Sequence, residues 1–200
     1  MKRRNFIKGA GTAFAGSMLL GHEMLAMPGK VSAADKLNIG VIGCNGMGWS
    51  NTNSILKMND VEVVGICDVD SNVIKTRLAD YAALRKNVPK TYTDYRSLLN
   101  NKDIDAVIIG TPDHWHCKMM VDAVKAGKHV YVEKPIANSI AECNLMVAAQ
   151  EKTGKIVQAG QWQRSGPHYK KAIDIVRSGV LGKIRLVKVW AYQGWMKPVP

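Results

Sequence analysis

A doubly wound parallel α/β sheet is the fold class this sequence predicts, and three observations predict it. Short apolar runs rich in β-branched residues recur across residues 37–159, each of strand length. Segments of helical periodicity alternate with them, several entered through Asp or Ser and left through Gly. The first run, Leu37 to Ile42, passes into Gly43-Cys44-Asn45-Gly46-Met47-Gly48, and the second, Val61 to Cys67, ends on Asp68. Repeated β-α-β units of this length need right-handed crossovers and one parallel sheet, with ligands bound at the carboxyl ends of the strands.

The glycine turn comes first. Three glycines swing the chain from a buried strand into a helix expected over Trp49 to Met58. Such a turn leaves backbone N–H groups and the positive end of a helix dipole free to hold a pyrophosphate. The G-x-G-x-x-G spacing would need glycine at 43, 45 and 48, and position 45 is Asn. Gly46 supplies the missing Cβ-free backbone one residue later, and Asn tolerates the left-handed conformation. Asp68 closes the second strand about 20 residues on, where a carboxylate accepts hydrogen bonds from an adenosine ribose. Strand, turn, helix, strand and acid together describe a dinucleotide site. Asp68 would repel a 2′-phosphate, and no Arg or Lys follows it before Lys75, so NAD is expected over NADP.

Asp70 or Ser71 caps the next helix, with Ile74, Leu78, Tyr81 and Ala82 on one face. Tyr92 lies in a short extended piece, and Asp94 to Leu99 makes about a turn and a half of helix. A strand from Asp105 to Gly110 stops at Thr111-Pro112. A helix from His116 to Ala126 ends at Gly127, and His129 to Val132 is extended. Ser139 and Glu142 form a capping box for a helix to Thr153, which Gly154 closes before a last strand, Ile156 to Ala159. Pro167 opens a helix to Ser178, and Lys183 to Trp190 reads as the first strand of a second domain.

Unusual residues gather at the strand ends. Thr111-Pro112-Asp113-His114-Trp115-His116-Cys117 follows one strand, Glu133-Lys134-Pro135 another, and Gln161-Trp162-Gln163-Arg164 a third. Asp113, His114, His116 and Cys117 could be read as metal donors, but donors packed this tightly in sequence rarely all face one ion. No metal site is assigned. In a structural reading the histidines cap the helix that follows.

Residues 1–34 are expected to lie outside the fold. Lys2-Arg3-Arg4-Asn5-Phe6-Ile7-Lys8 is a basic segment with paired arginines, Ala10 to Leu20 is mildly apolar, and Val31-Ser32-Ala33-Ala34 offers cleavage after Ala33 or Ala34. The segment resembles a twin-arginine (Tat) export signal, which would make the export machinery a partner and the periplasm the destination. Its apolar part is too short to span a bilayer, and no Cys near the cleavage site offers a lipid anchor, so no stable membrane insertion is expected. The formal net charge is +12, of which residues 1–34 carry +4. The other basic residues are scattered without interleaved aromatics, which argues against nucleic acid as a partner. Cys44, Cys67, Cys117 and Cys143 form neither a CxxC pair nor a dense framework. A Cys44–Cys67 bridge is conceivable, but a Tat substrate folds in a reducing compartment, which favours free buried thiols.

Gly43-x-x-Gly46-Met47-Gly48, Ile66-Cys67-Asp68, Thr111-Pro112-Asp113-His114-x-His116, Ala126-Gly127-Lys128-His129-Val130 and Glu133-Lys134-Pro135 occur here in that order. Over residues 36–200 the chain resembles the glucose-fructose oxidoreductase, inositol dehydrogenase and MocA-like family. The resemblance implies a Rossmann domain over 35–160 and, over 161–200, the incomplete beginning of an α/β substrate and oligomerisation domain with an open sheet. It implies NAD as cofactor, a carbohydrate substrate and a homo-oligomer for the full-length protein. Gly43, Asn45, Gly46, Met47 and Gly48 would face the pyrophosphate and Asp68 the adenosine ribose. Thr111, Pro112, His116 and Gln161 would line the cofactor cleft, and Glu133 would contact the nicotinamide ribose. Lys134 would sit beside the nicotinamide and a sugar hydroxyl as the catalytic residue, with Arg164 and Tyr169 as further substrate contacts.

A lysine enclosed in a cleft loses solvation, which disfavours its charged form and suits it to relay a hydroxyl proton. The function expected is that of an NAD-dependent oxidoreductase on a sugar hydroxyl, holding its cofactor tightly and recycling it because free dinucleotide is scarce outside the cytoplasm. An alternative is an NAD-dependent glycoside hydrolase that oxidises its sugar transiently, similar to the family's N-acetylgalactosaminidase branch. A third is a dinucleotide-binding protein without turnover. With one helix and one strand of the second domain, the chain as given is expected to lack half the substrate wall. It would then bind NAD weakly, be poorly soluble and turn nothing over, with Val187, Val189, Trp190, Tyr192 and Trp195 exposed.

Overall fold

The structure, a computed structural model, describes residues 36–190. The export segment expected at 1–34, and Tyr192 and Trp195, lie outside these residues. Among them are six parallel strands: β1 (Leu37–Ile42), β2 (Val61–Cys67), β3 (Lys90–Tyr92), β4 (Ala106–Ile109), β5 (His129–Val132) and β6 (Val157–Ala159). They lie in the order β3-β2-β1-β4-β5-β6, the doubly wound arrangement with its switch point between β1 and β4. Six helices connect or follow them: α1 (Gly46–Ile55), α2 (Ser71–Ala82), α3 (Tyr95–Leu99), α4 (His116–Lys125), α5 (Ile140–Thr153) and α6 (Pro167–Arg177).

The alternation of the pleat divides the core into two layers. Ile39, Val41, Val63 and Ile108 pack with Trp49 and Leu56 and with Ile74 and Tyr81 of α2. Val107, Ile109, Val130 and Val132 face the other way, onto Leu98 and Leu99 and the α4 stripe Met119, Met120, Ala123 and Val124. The α4 spacing of three and four residues gives it one buried stripe, and removing such a side chain costs about 1.5–3 kcal/mol of transfer alone.

Helix α1 is displaced from its expected span by one turn. Its first turn is built from Gly46, Met47 and Gly48 themselves, with extended Asn45 as N-cap, so the glycine loop is the start of the helix. At its other end Arg85 Nη2 donates to Leu56 O at 2.6 Å and Met58 O at 2.8 Å, satisfying carbonyls as the chain leaves the helix. Asp70, not Ser71, caps α2, accepting from Asn72 N–H at 2.8 Å, and Ala82 is exposed. Ser139 caps α5, but the Glu142 carboxylate returns to Asn138 N–H at 2.8 Å, one residue earlier than the capping box expects. Gly127 and Gly154 take φ of 84° and 64° after α4 and α5, as expected of helix-closing glycines.

The strand expected over Lys183 to Trp190 does not form. Residues 184–190 carry no regular structure and pair with no strand among the described residues. A single extended segment leaves its N–H and C=O groups unpaired, and pattern alone cannot supply its ladder. Val187, Val189 and Trp190 are exposed, as expected.

Candidate active site

The register sets up the site. Ile42 pairs with Cys67 on one side and Ile109 on the other, Ile109 pairs with Val132, and Val132 pairs with Ala159. The residues that follow, Gly43, Asp68, Gly110, Glu133 and Gly160, therefore leave the sheet in one row along its carboxyl edge.

At the centre of that row three backbones nearly touch. Gly43 has φ 81°, and a Cβ on Gly48 would stand 1.9 Å from Gly43 O. A Cβ on Gly110 would lie 2.5 Å from Gly48 Cα. Only glycine fits where β1, α1 and β4 meet this closely. Asn45 is extended, at φ −106°, so the left-handed conformation that Asn tolerates is not used there. Gly46 takes positive φ instead, at 48°, in open space. Asn45, Gly46 and Met47 are exposed, and their N–H groups make no backbone hydrogen bond among the described residues. They are the donors a pyrophosphate would meet at the α1 N-terminus.

Asp68 sits at the rim and is already partly engaged. Its Oδ2 accepts from Cys44 N–H at 2.8 Å and its Oδ1 from Asp70 N–H at 3.1 Å. Arg77, on α2, was not singled out by the sequence. Its Nε donates to Cys44 O at 3.1 Å, Nη2 to Asn45 Oδ1 at 3.0 Å and Nη1 to Asp80 at 2.6 Å, over the Trp49 ring. The signal available was its position on the Ile74 and Leu78 face, one turn from Val73. A cleft of about 410 Å³ opens beside these groups, lined among others by Gly43, Asn45, Asp68, Thr111, Pro112 and Trp115.

Glu133, Lys134 and Pro135 turn away at the end of β5. Glu133 is 3% exposed, and its oxygens accept from Asn51 Nδ2 at 2.8 Å and Lys134 N–H at 3.1 Å. Burial pushes the Tyr131 phenol pKa up, and the Glu133 charge adds to this. Lys134 itself is exposed, so the closed cleft expected around it is not built by the described residues. His116 is 1% exposed, with Nδ1 2.7 Å from Pro135 O and Nε2 2.8 Å from Thr111 O. The ring joins the two turns; only its doubly protonated form donates to both carbonyls. It spans the turns from inside rather than presenting a ring nitrogen to the cleft.

The remaining candidates lie apart. Gln161, Arg164 and Tyr169 are exposed and line neither of the two larger cavities. Asp113 and His114 are a solvent-accessible pair, while His116 turns inward and the Cys117 thiol approaches Glu142 O, so the four possible metal donors diverge. The four cysteines are unbridged: Cys44, Cys67 and Cys117 are buried and Cys143 is half-buried. A larger concavity, about 760 Å³, runs between α1 and the opposite face of β4 and β5, past Ile108, Tyr131 and Trp162. Its walls are almost wholly apolar and include Met47, whereas Gly43, Asn45 and Asp68 line the smaller cleft.

The residues present fit a dinucleotide. The glycine junction admits close approach of phosphates, the loop offers unpaired N–H groups, and Asp68 offers a carboxylate at the adenosine end.

Residues 37–161 match the GFO/IDH/MocA profile, described as an oxidoreductase family with an NAD-binding Rossmann fold. Two glycosyl hydrolase family 109 proteins are similar: one from Shewanella sp. strain ANA-3 at 30% identity and one from strain W3-18-1 at 32%. Each alignment covers 91% of this chain and 44% of the relative, so the chain spans less than half the length of the curated relatives it matches. Myo-inositol 2-dehydrogenase from Lactobacillus plantarum has a similar structure, with a TM-score of 0.68 and 28% identity over 74% of this chain and 43% of that one. Scyllo-inositol dehydrogenase from Lactobacillus casei, solved with NAD(H) and scyllo-inositol, gives a TM-score of 0.65 and 26% identity over 74% and 42%. With its strand order, its glycine junction and its profile match in agreement, the chain belongs to the GFO/IDH/MocA oxidoreductase family of NAD-binding Rossmann folds.

Proposed function

We propose that this chain is the dinucleotide-binding part of an NAD-dependent oxidoreductase acting on a sugar or sugar-derived hydroxyl. The observation that carries the reading is the single row in which the glycine loop, Asp68 and the Glu133-Lys134-Pro135 turn leave the sheet. Bound NAD would supply the hydride acceptor for a carbinol carbon. The N–H groups of Asn45, Gly46 and Met47 bind pyrophosphate, and Asp68 accepts from the ribose hydroxyls and disfavours a 2′-phosphate. Arg77 gives three of its five N–H donors to Cys44 O, Asn45 Oδ1 and Asp80, which holds the loop beside Asp68. Lys134, exposed among the described residues, relays the hydroxyl proton as the carbon–hydrogen bond breaks and hydride passes to NAD. Export through the twin-arginine route, with cofactor loaded beforehand and recycled each turnover, belongs to the same reading.

A second reading, transient oxidation in a glycoside hydrolase, is favoured by the similarity to glycosyl hydrolase family 109 proteins. One experiment separates the two. The purified protein is loaded with NAD and incubated with polyols, sugars and aryl glycosides while NADH and free sugar are followed. Reduction of the bound NAD by a polyol or sugar, without release of sugar from a glycoside, supports the oxidoreductase. Sugar released without net NADH supports the hydrolase. Absence of NAD binding overturns both.

A further inference from the structure

Polar side chains along α1 mostly serve α1 itself. The Thr52 hydroxyl donates to Gly48 O and the Ser54 hydroxyl to Ser50 O. Asn51 does not. Its Nδ2 reaches across to Glu133 Oε1 at 2.8 Å, joining positions 82 residues apart in sequence. The acceptor is a carboxylate almost closed off from water, and an ionised carboxylate is stable there only where donors meet it. Lys134 N–H meets the other oxygen, so the same carboxylate holds the backbone on which Lys134 stands. Gly160, at the end of β6, confines it from a third side, since a Cβ there would stand 2.9 Å from Oε1.

We propose that Asn51 is a positioning residue. By holding Glu133 it sets Lys134 at a fixed offset from the glycine loop at the head of the same helix. His116 secures the far side of the turn through Pro135 O. The head of α1 and Asn51 are little more than one helical turn apart, a length over which a helix is stiff, so the pyrophosphate donors and Lys134 are placed by one rigid part. The inference rests on the reading of Lys134 as the proton-transfer group.

The test is amide hydrogen exchange on the full chain, with NAD titrated separately. N51D removes the donor and sets a carboxylate against Glu133. Exchange at Lys134 N–H is expected to quicken about tenfold or more, with Val41 and Ile108 unchanged. NAD affinity should fall by no more than about tenfold, the share of a single Glu133 contact, because the loop donors are untouched. Adding E133Q reverses the pair: the new amide donates to the new carboxylate and still accepts from Lys134 N–H. Exchange should then return to within about threefold of the wild type. An unchanged Lys134 rate in N51D, a rise spread evenly over β1 and β4, or no recovery in N51D/E133Q overturns the proposal. If N51D does not fold, recovery of folding in the double variant supports it and continued failure overturns it. The expected exchange pattern in a protein that binds no NAD supports the placement and overturns the reading of the reaction.

Discussion

Asp68 accepts the Cys44 N–H at 2.8 Å, so the acid expected to bind ribose also fastens the glycine loop to the end of β2. The two roles separate by substitution. Asp68→Asn keeps an oxygen for Cys44 N–H but loses the charge that strengthens hydrogen bonds from ribose hydroxyls. Its loop should remain intact while NAD affinity falls about tenfold, and discrimination against NADP should shrink. Asp68→Ala also strands the Cys44 N–H, costing about 1–3 kcal/mol of stability as well as affinity. Calorimetric titration with both cofactors, paired with urea unfolding, measures each arm. Equal affinity of Asp68→Asn and wild type for NAD would remove the carboxylate from the site.

The two loop glycines next to each other in role differ sharply in space. Gly48→Ala places a methyl into backbone, 1.9 Å from Gly43 O, and nothing flexible is there to yield. It should cost about 3 kcal/mol, the upper end of ordinary overpacking, and abolish NAD binding by forcing β1, α1 and β4 apart. Gly46→Ala meets nothing within 4 Å and bears only its left-handed backbone, at φ 48°. A loss of about 1–2 kcal/mol is expected. Thermal unfolding and NAD titration of the pair should rank them in that order, and the reverse order would contradict the loop geometry.

The fold was legible because its signals are local. Strand runs such as Leu37–Ile42 and His129–Val132 are continuous and β-branched, and the closing glycines after α4 and α5 sit where helix ends require them. What was not legible is what the fold brings together from afar. Gly110 looks like the end of a strand until Gly48 is packed against it, and Asn51 looks like a polar face residue until β5 places Glu133 beside it. Arg77 reaches the loop only because α2 lies against β1 and β2. The start of α1 was missed for a different reason: glycine weakens helix propensity, yet the close approach makes it obligatory in that first turn. The 183–190 segment has strand composition but no neighbour to complete it among the described residues.

Thiol reactivity should follow burial. Burial pushes the Cys44 pKa up to about 12, aided by the Asp68 charge, and the same causes push Cys67 up to about 12. Only the thiolate attacks, so at about pH 8 both should alkylate roughly three orders of magnitude more slowly than an ordinary thiol. Cys143, half-buried on α5, should be modified first. Mass spectrometry after brief iodoacetamide treatment of native protein reads the order. Early labelling of Cys44 would show that the loop opens far more often than its hydrogen bonds imply.

Acid sensitivity should come in part from Asp122 on α4. Burial works against its carboxylate, but hydrogen bonds from Lys118 and from Tyr95, at 2.7 Å, outweigh it and hold the pKa below the ordinary value. The folded state therefore favours the ionised form more than the unfolded chain does. That stabilisation is complete above the unfolded value, near pH 4, and is lost as pH falls through the folded pKa. Lys118 is largely exposed and its share is screened, so the whole effect is about 1 kcal/mol. Asp122→Asn should lose about that much at neutral pH and show a shallower fall between about pH 5 and 2. Tyr95→Phe should show part of the same change, because Lys118 still holds the carboxylate. Urea midpoints across this range for the three proteins decide it: parallel curves for wild type and Asp122→Asn would mean that other carboxylates set the acid limb.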